Sequence, residues 1–249
     1  ANPMSTNTYT KEELTNLISE LNKINPYGVS IVDTLGNMYE KDVKDIFELI
    51  DRKLNKNIIL GFHSHNSLQL SFSNTKALLK MGLKRHLVID SCLYGMGRGA
   101  GNLCTELITK YLNDNHNSEY KITPLLKSID NVLKNIYNQT PWGYSTLYYI
   151  AAIHGCHPNY ATYLSDKNLS NEDLDKTIQK IEEKKSVAPI VKVEEKKAPV
   201  TQSEPKKSIR ELVEGKSTQN SATKAVETTT STSKGFYVQI GAFKNRPDS

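Results

Sequence analysis

From Leu164 to Gly235 the chain contains no Phe, Trp or Tyr, although its 249 residues include 13 Tyr, 5 Phe and one Trp. Lys, Glu, Pro, Ser and Thr dominate from about Lys184 onward, so most of this stretch cannot bury enough apolar surface to offset its ordering entropy. A disordered linker is expected over 186–234, and the folding unit falls in roughly the first two thirds of the chain. Cysteine is scarce as well: Cys92, Cys104 and Cys156 are odd in number, far apart and outside any CxxC pattern. That excludes a disulfide framework and a zinc cluster, and the three read as reduced thiols. No apolar run approaches the length of a membrane span, and the first residues lack the basic and apolar regions of a secretory signal. A cytoplasmic protein without a membrane span is expected. An excess of charge is also missing: 32 basic residues stand against 27 acidic ones, interspersed, for a net charge of +5. This describes a mildly basic solvated surface and no nucleic-acid partner.

What is present begins with a well-marked helix. Thr10 can cap it, Glu13 completes a capping box, and Leu14, Leu17, Ile18 and Leu21 form one apolar stripe. The β-branched run Gly28 to Asp33 then leads through Thr34, Leu35 and Gly36 into a helical pattern of Val43, Ile46, Phe47, Ile50 and Leu54. The same grammar recurs at Asn57 to His63 with a helix near Ser73 to Met81, and at His86 to Asp90 with a helix from about Leu103 to Leu112. Strands about thirty residues apart, each followed by a helix, signal parallel βαβ units, in an open doubly wound sheet or part of a (β/α)₈ barrel. Beyond Asn113 the strand signal stops. Helical spacing at Pro124 to Tyr137, Tyr144 to His154 and Asn171 to Lys184 predicts a helical appendix over 114–185. The last apolar run, Gly235 to Phe243, has the alternation of a strand.

Two segments carry candidate chemistry. In Gly61-Phe-His-Ser-His-Asn66, at the end of a predicted strand, residues i and i+2 share a face, so His63 and His65 project together while Phe62 and Ser64 face the helices. Two imidazoles at the C-terminal end of a parallel strand can hold a divalent metal. The alternative is a pair of histidines satisfied by neighbouring backbone or carboxylate groups. The second segment, Asp90 to Asn102, is a glycine-rich loop between a strand and a helix, where backbone N–H groups suit an anion. Its spacing fits neither the Walker loop nor the dinucleotide fingerprint, and a structural turn is the alternative.

In this order, VDTLGNM at Val32 to Met38, GFHSHNSLQLSFSN at Gly61 to Asn74 and DSCLYGMGRGAGNLCTEL at Asp90 to Leu107 resemble the DRE-TIM metallolyase family. That family includes 4-hydroxy-2-oxovalerate aldolase, hydroxymethylglutaryl-CoA lyase and isopropylmalate synthase. The resemblance covers about Ala1 to Asn113, and Trp142-Gly-Tyr with His157-Pro-Asn-Tyr-Ala161 looks like the tail of its aldolase-like members. It implies the carboxyl-terminal half of a TIM barrel over 1–113, with late strands only. It further implies a divalent metal, Mg²⁺ or Mn²⁺, on His63 and His65, with Asn102 as a third ligand. The metal would act as a Lewis acid on a 2-oxo acid or related carbonyl substrate and stabilise the enolate when a carbon–carbon bond is made or broken. Asp33, Thr34 and Ser91 are expected as substrate or supporting residues at the same mouth, and Arg98 as a partner for a substrate carboxylate.

The family's Arg-Asp-Gly segment, which supplies an anionic ligand and a catalytic Arg, has no counterpart here. The chain is therefore expected to begin in the middle of a barrel, with Asn2-Pro-Met4 resembling the end of an earlier strand. The implied carbon–carbon lyase would be incomplete in this chain, with open sheet edges that admit an oligomer. Cys92 and Cys104 do not occupy the place of the lyase branch's catalytic Cys and are assigned no chemistry. Finally, Phe236-Tyr-Val-Gln-Ile-Gly-Ala-Phe243 resembles the opening strand of the SPOR domain, a peptidoglycan-binding module of bacterial envelopes. This implies the beginning of such a module over 235–249, and as an alternative a non-catalytic envelope-associated or periplasmic protein.

Overall fold

In the computed structural model, which describes residues 1–187 and 237–240, the β-branched runs become parallel strands β1 (Gly28–Asp33), β2 (Ile59–Ser64) and β3 (Leu87–Ser91). They lie side by side in register, Gly28 opposite Ile59 and Leu60 opposite Leu87. Helix α1 (Lys11–Ile24) precedes them, and α2 (Glu40–Lys53), α3 (Ser71–Lys80) and α4 (Thr105–His116) follow each strand in turn. The capping box of Thr10 and Glu13 opens α1 as the sequence predicts.

Alternation along the strands shows which face of the sheet the helices cover. Val29 and Ile31, Leu60 and Phe62, and Leu87 and Ile89 all join one core with Leu14 and Ile18 of α1, Phe47 of α2, Leu78 of α3 and Ile108 of α4. All four helices therefore cover one face of the sheet, as successive right-handed crossovers in one direction require. The other face carries Ser30, Gly61, His63, Val88 and Asp90. A doubly wound sheet would have helices on both faces, whereas a segment of a barrel has them only outside.

The chain then runs through α5 (Ile122–Ser128), a π-helical stretch (Ile129–Leu133) and α6 (Lys134–Gln139). Helices α7 (Thr146–Ile153), α8 (Pro158–Leu164) and α9 (Asn171–Val187) share a second core built on Ile150, Ala151, Cys156, Ala161, Leu164, Leu174 and Ile178. Among the described residues no helix is long and apolar enough to cross a membrane.

The expected linker over 186–234 lies outside the described residues apart from the end of α9. Of the expected SPOR-like start over 235–249, the structure describes β4 (Tyr237–Ile240). It pairs parallel to β3, with Val88 opposite Tyr237 and Ser91 opposite Ile240, so the strand order is β1-β2-β3-β4.

Candidate metal and substrate site

The site forms where the C-terminal ends of β1, β2 and β3 meet the loops that follow them. Strand periodicity places His63 and His65 on the helix-free side, their rings 5.0 Å apart and nearly perpendicular. Phe62 points the other way and packs edge-on against Phe47, with centroids 5.5 Å apart. His65 Nδ1 lies 3.0 Å from the carbonyl oxygens of both Asp33 and Thr34. Carbonyl oxygens only accept, so Nδ1 bears the proton and the lone pair of the neutral ring is on Nε2. Burial, the nearby His63 and, more weakly, His157 hold the His65 pKa below the usual imidazole range, against the opposing pull of the two carbonyls. The neutral form is the one that ligates metals.

The glycine-rich loop folds back on itself through Cys92 N–H to Leu103 O at 2.9 Å and Asn102 N–H to Gly95 O at 3.0 Å. It is pinned to the β2 loop by Asn66 N–H to Gly101 O at 3.0 Å, and Asn102 forms an antiparallel bridge with His65. The Asn102 amide donates to Met96 O at 2.9 Å, while its Oδ1 is buried and has no hydrogen-bond partner. A buried acceptor of this kind costs free energy unless something occupies it.

The remaining predicted residues lie at the same end of the sheet, with side chains engaged in the scaffold. Asp33 is buried, and its carboxylate accepts from Asn37 N–H at 3.1 Å and Met38 N–H at 3.2 Å. Burial pushes its pKa up to about 6, against the opposing pull of these N–H groups. Thr34 Oγ1 accepts from Ser5 N–H at 2.8 Å, and Ser91 shares a hydrogen bond of 2.8 Å with Thr105. Arg98 donates to Asn159 Oδ1 at 2.9 Å, so its partner comes from the helical appendix. Burial raises the pKa of Cys92 and pushes Cys104 up to about 12, which keeps both thiols protonated at neutral pH.

Sequence reasoning missed Asp90, whose Oδ2 lies 3.3 Å from His63 Nδ1, and Ser30, whose Oγ lies 3.4 Å from the same oxygen. Asp90 lies on the same face of β3 as Val88, which stands opposite Gly61, and its contact with His63 depends on that strand register. Sequence reasoning also missed His157, whose Nδ1 accepts from Asn159 N–H at 3.2 Å at the start of α8.

Two imidazoles and an unsatisfied amide oxygen are a donor set that fits a divalent cation with positions left for water or substrate oxygens. All three donors are neutral. No cluster of three His, Cys, Asp or Glu capable of holding a metal occurs among the described residues.

Known proteins resemble this chain in sequence and in fold. 4-Hydroxy-2-oxovalerate aldolase of Thermomicrobium roseum is 41% identical over 85 residues, which is 34% of this chain and 22% of that protein. The enzyme of the same name from Pseudoalteromonas translucida is 30% identical over 144 residues, 53% of this chain and 41% of that protein. The chain thus spans less than half the length of these relatives. Among solved structures, the N-terminal domain of a candidate aldolase from Bacteroides vulgatus superposes with a TM-score of 0.56 at 26% identity, covering 67% of this chain and 54% of that one. The carboxyl transferase domain of Rhizobium etli pyruvate carboxylase shares the fold, with a TM-score of 0.53 at 15% identity over 73% of this chain and 30% of that one. The HMGL-like family matches residues 2–132, a span that includes all three motif-bearing strand ends. Because that span is more than half of the 249 residues, the chain belongs to the HMGL-like family.

Proposed function

We propose that this chain carries the metal-binding part of an aldolase or lyase site that cleaves or forms a carbon–carbon bond in a 2-oxo acid or related carbonyl compound. The observation that carries the reading is the pairing of His63 and His65, their ring centroids 5.0 Å apart, with Asn102, whose backbone bridges to His65 and whose Oδ1 is unsatisfied. His63, His65 and Asn102 would hold Mg²⁺ or Mn²⁺, which when bound would polarise a carbonyl oxygen and stabilise the negative charge that develops on it. Neutral ligands suit that role because they leave the ion's charge intact for the substrate.

The chain's own residues bind and orient. The Arg98 guanidinium, held by Asn159, would meet a substrate carboxylate. Asp33 and Thr34 fix His65 through their carbonyls, and Ser91 braces the start of the glycine-rich loop through Thr105. In this reading residues 1–113 are the barrel segment and 114–185 the helical appendix that brings Asn159 and His157 to the mouth. Three cysteines outside any disulfide suit a reducing compartment such as the cytoplasm.

Calorimetric titration with Mn²⁺ tests the proposal. The wild-type chain should give a saturable heat that is lost in the His63→Ala, His65→Ala double variant, and indistinguishable heats would overturn it. With Mn²⁺ bound, pyruvate serves as the probe of the carbonyl subsite, and Arg98→Ala should weaken it about tenfold, the loss of one charge-assisted contact.

A further inference from the structure

The helix-free face holds a polar contact that reaches from β1 to β3 across the strand between them. Ser30 of β1 stands opposite Gly61 of β2, and Gly61 opposite Val88 of β3. The Ser30 hydroxyl nevertheless donates to Asp90 Oδ2 of β3 at 3.4 Å. It can do so because Gly61 has no side chain: a Cβ there would lie 2.7 Å from Ser30 Oγ and 3.0 Å from Ser30 Cβ. Any other residue at 61 would close the path over the central strand.

The same carboxylate oxygen lies 3.3 Å from His63 Nδ1, two residues further along β2. The His63 and Asp90 side chains are only 16% and 25% exposed, so water competes weakly for this contact. A carboxylate can only accept, so its contact with Nδ1 selects the tautomer with the proton on Nδ1 and the lone pair on Nε2. His65 reaches the same tautomer through main-chain carbonyls.

We infer that Asp90 is the positioning residue for His63, setting its tautomer and ring orientation, with Ser30 holding the carboxylate through the gap left by Gly61. The inference rests on the metal site proposed above and deepens it: the two histidines are prepared by different devices, one by main chain and one by a carboxylate. An anionic acceptor on the far nitrogen raises the basicity of the ligating one, and losing such an acceptor commonly costs ten- to a hundredfold in metal affinity. The His63–Asp90 ion-pair contact at 3.3 Å and the Ser30–Asp90 contact at 3.4 Å are both longer than ordinary hydrogen bonds, which points to the lower end of that span.

The test uses the whole 249-residue chain. Long-range ¹H–¹⁵N correlation spectra of the metal-free protein, recorded above the usual imidazole titration range, report which nitrogen of His63 bears the proton. The wild type should show protonated Nδ1, and Asp90→Ala should move His63 toward the Nε2–H form while leaving His65 unchanged. Mn²⁺ affinity by calorimetry should fall about tenfold in Asp90→Ala. A folded Asp90→Ala chain with an unaltered His63 pattern overturns the inference. If Asp90→Ala does not fold, Ser30→Ala decides: a partial shift in the same direction supports the inference, and unaltered His63 resonances overturn it. Absence of Mn²⁺ binding by the wild type would remove the metal reading alone, because the tautomer shift is read without metal.

Discussion

Asp33 and His65 are joined twice through one atom, because the Asp33 carbonyl oxygen receives the His65 backbone N–H at 3.4 Å and lies 3.0 Å from His65 Nδ1. The orientation of the imidazole is therefore a property of the turn after β1. That turn is in turn held by the Asp33 carboxylate, which accepts from the N–H groups of Asn37 and Met38. Asp33→Ala leaves two N–H groups without their acceptor, one of them in a fully buried contact, and should cost about 2–4 kcal/mol. Urea unfolding monitored by circular dichroism measures it. The same variant should weaken Mn²⁺ binding several-fold, and a change below about 1 kcal/mol with unaltered binding would refute the coupling.

Arg85 closes the opposite end of the sheet. Its guanidinium pairs with the Asp51 carboxylate and donates to the carbonyls of Asp51, Leu54 and Ile58, each at 3.0 Å, so it caps α2 and braces the start of β2. Its side chain is 3% exposed. Arg85→Ala should cost about 2–4 kcal/mol, and Arg85→Lys should recover little of it because an ammonium cannot make the forked contacts. Burial alone would raise the Asp51 pKa, but the hydrogen bond and charge of Arg85, joined by Lys56, hold it below its ordinary value of 3.8. A carboxylate depressed in the folded state contributes stability that is fully present above its unfolded pKa and is lost as pH falls through the folded one. Asp51→Asn should therefore be destabilising at pH 7, with the difference from wild type shrinking below about pH 4. A pH-independent difference in urea midpoint would contradict this.

Much of the fold is legible because two periodicities carry it. The run Gly28 to Asp33 coincides with β1, and the stripe on Leu14, Ile18 and Leu21 is the buried face of α1. Helix α8 is not legible in this way: it has seven residues and only Ala161 and Leu164 buried, too short for a helical period to stand out. The shared face of His63 and His65 follows from the two-residue repeat of a strand, a local property. The contact of Asp90 with His63 and that of Arg98 with Asn159 depend on strand register and on the docking of the appendix, which arise from side-chain packing between segments far apart in the chain. The same holds for β4, whose strand composition is evident at Tyr237 but whose partner, β3, is not.

That partner sets a prediction about the sheet edge. An exposed parallel strand is a template for further pairing, and β4 covers this one from Val88 to Ser91. A chain ending at residue 187 should show faster hydrogen–deuterium exchange over Leu87 to Ser91 than the full chain. It should also self-associate more readily in sedimentation velocity runs. Equal exchange over β3 in the two chains would mean that the pairing adds nothing to the edge.

The appendix meets the glycine-rich loop at Gly99, and this contact can be read optically. Gly143 N–H donates to Gly99 O at 2.9 Å and Trp142 Nε1–H to Tyr94 O at 2.8 Å, while a Cβ on Gly99 would lie 2.6 Å from the Tyr148 ring. Gly99 also has φ +58°, a conformation that costs an L side chain about 1 kcal/mol or more. Gly99→Ala should therefore push Tyr148 aside and loosen Trp142 from Tyr94, at a total cost of about 1–3 kcal/mol from backbone strain and overpacking. Trp142 is the only tryptophan in the chain, so its emission reports this contact directly and should shift to longer wavelength as the indole N–H moves toward water. Tyr148→Ala in the Gly99→Ala background removes the clash and should restore part of the wild-type emission. If Gly99→Ala leaves both the emission maximum and the unfolding midpoint unchanged, the appendix is not seated on the loop that presents Asn102.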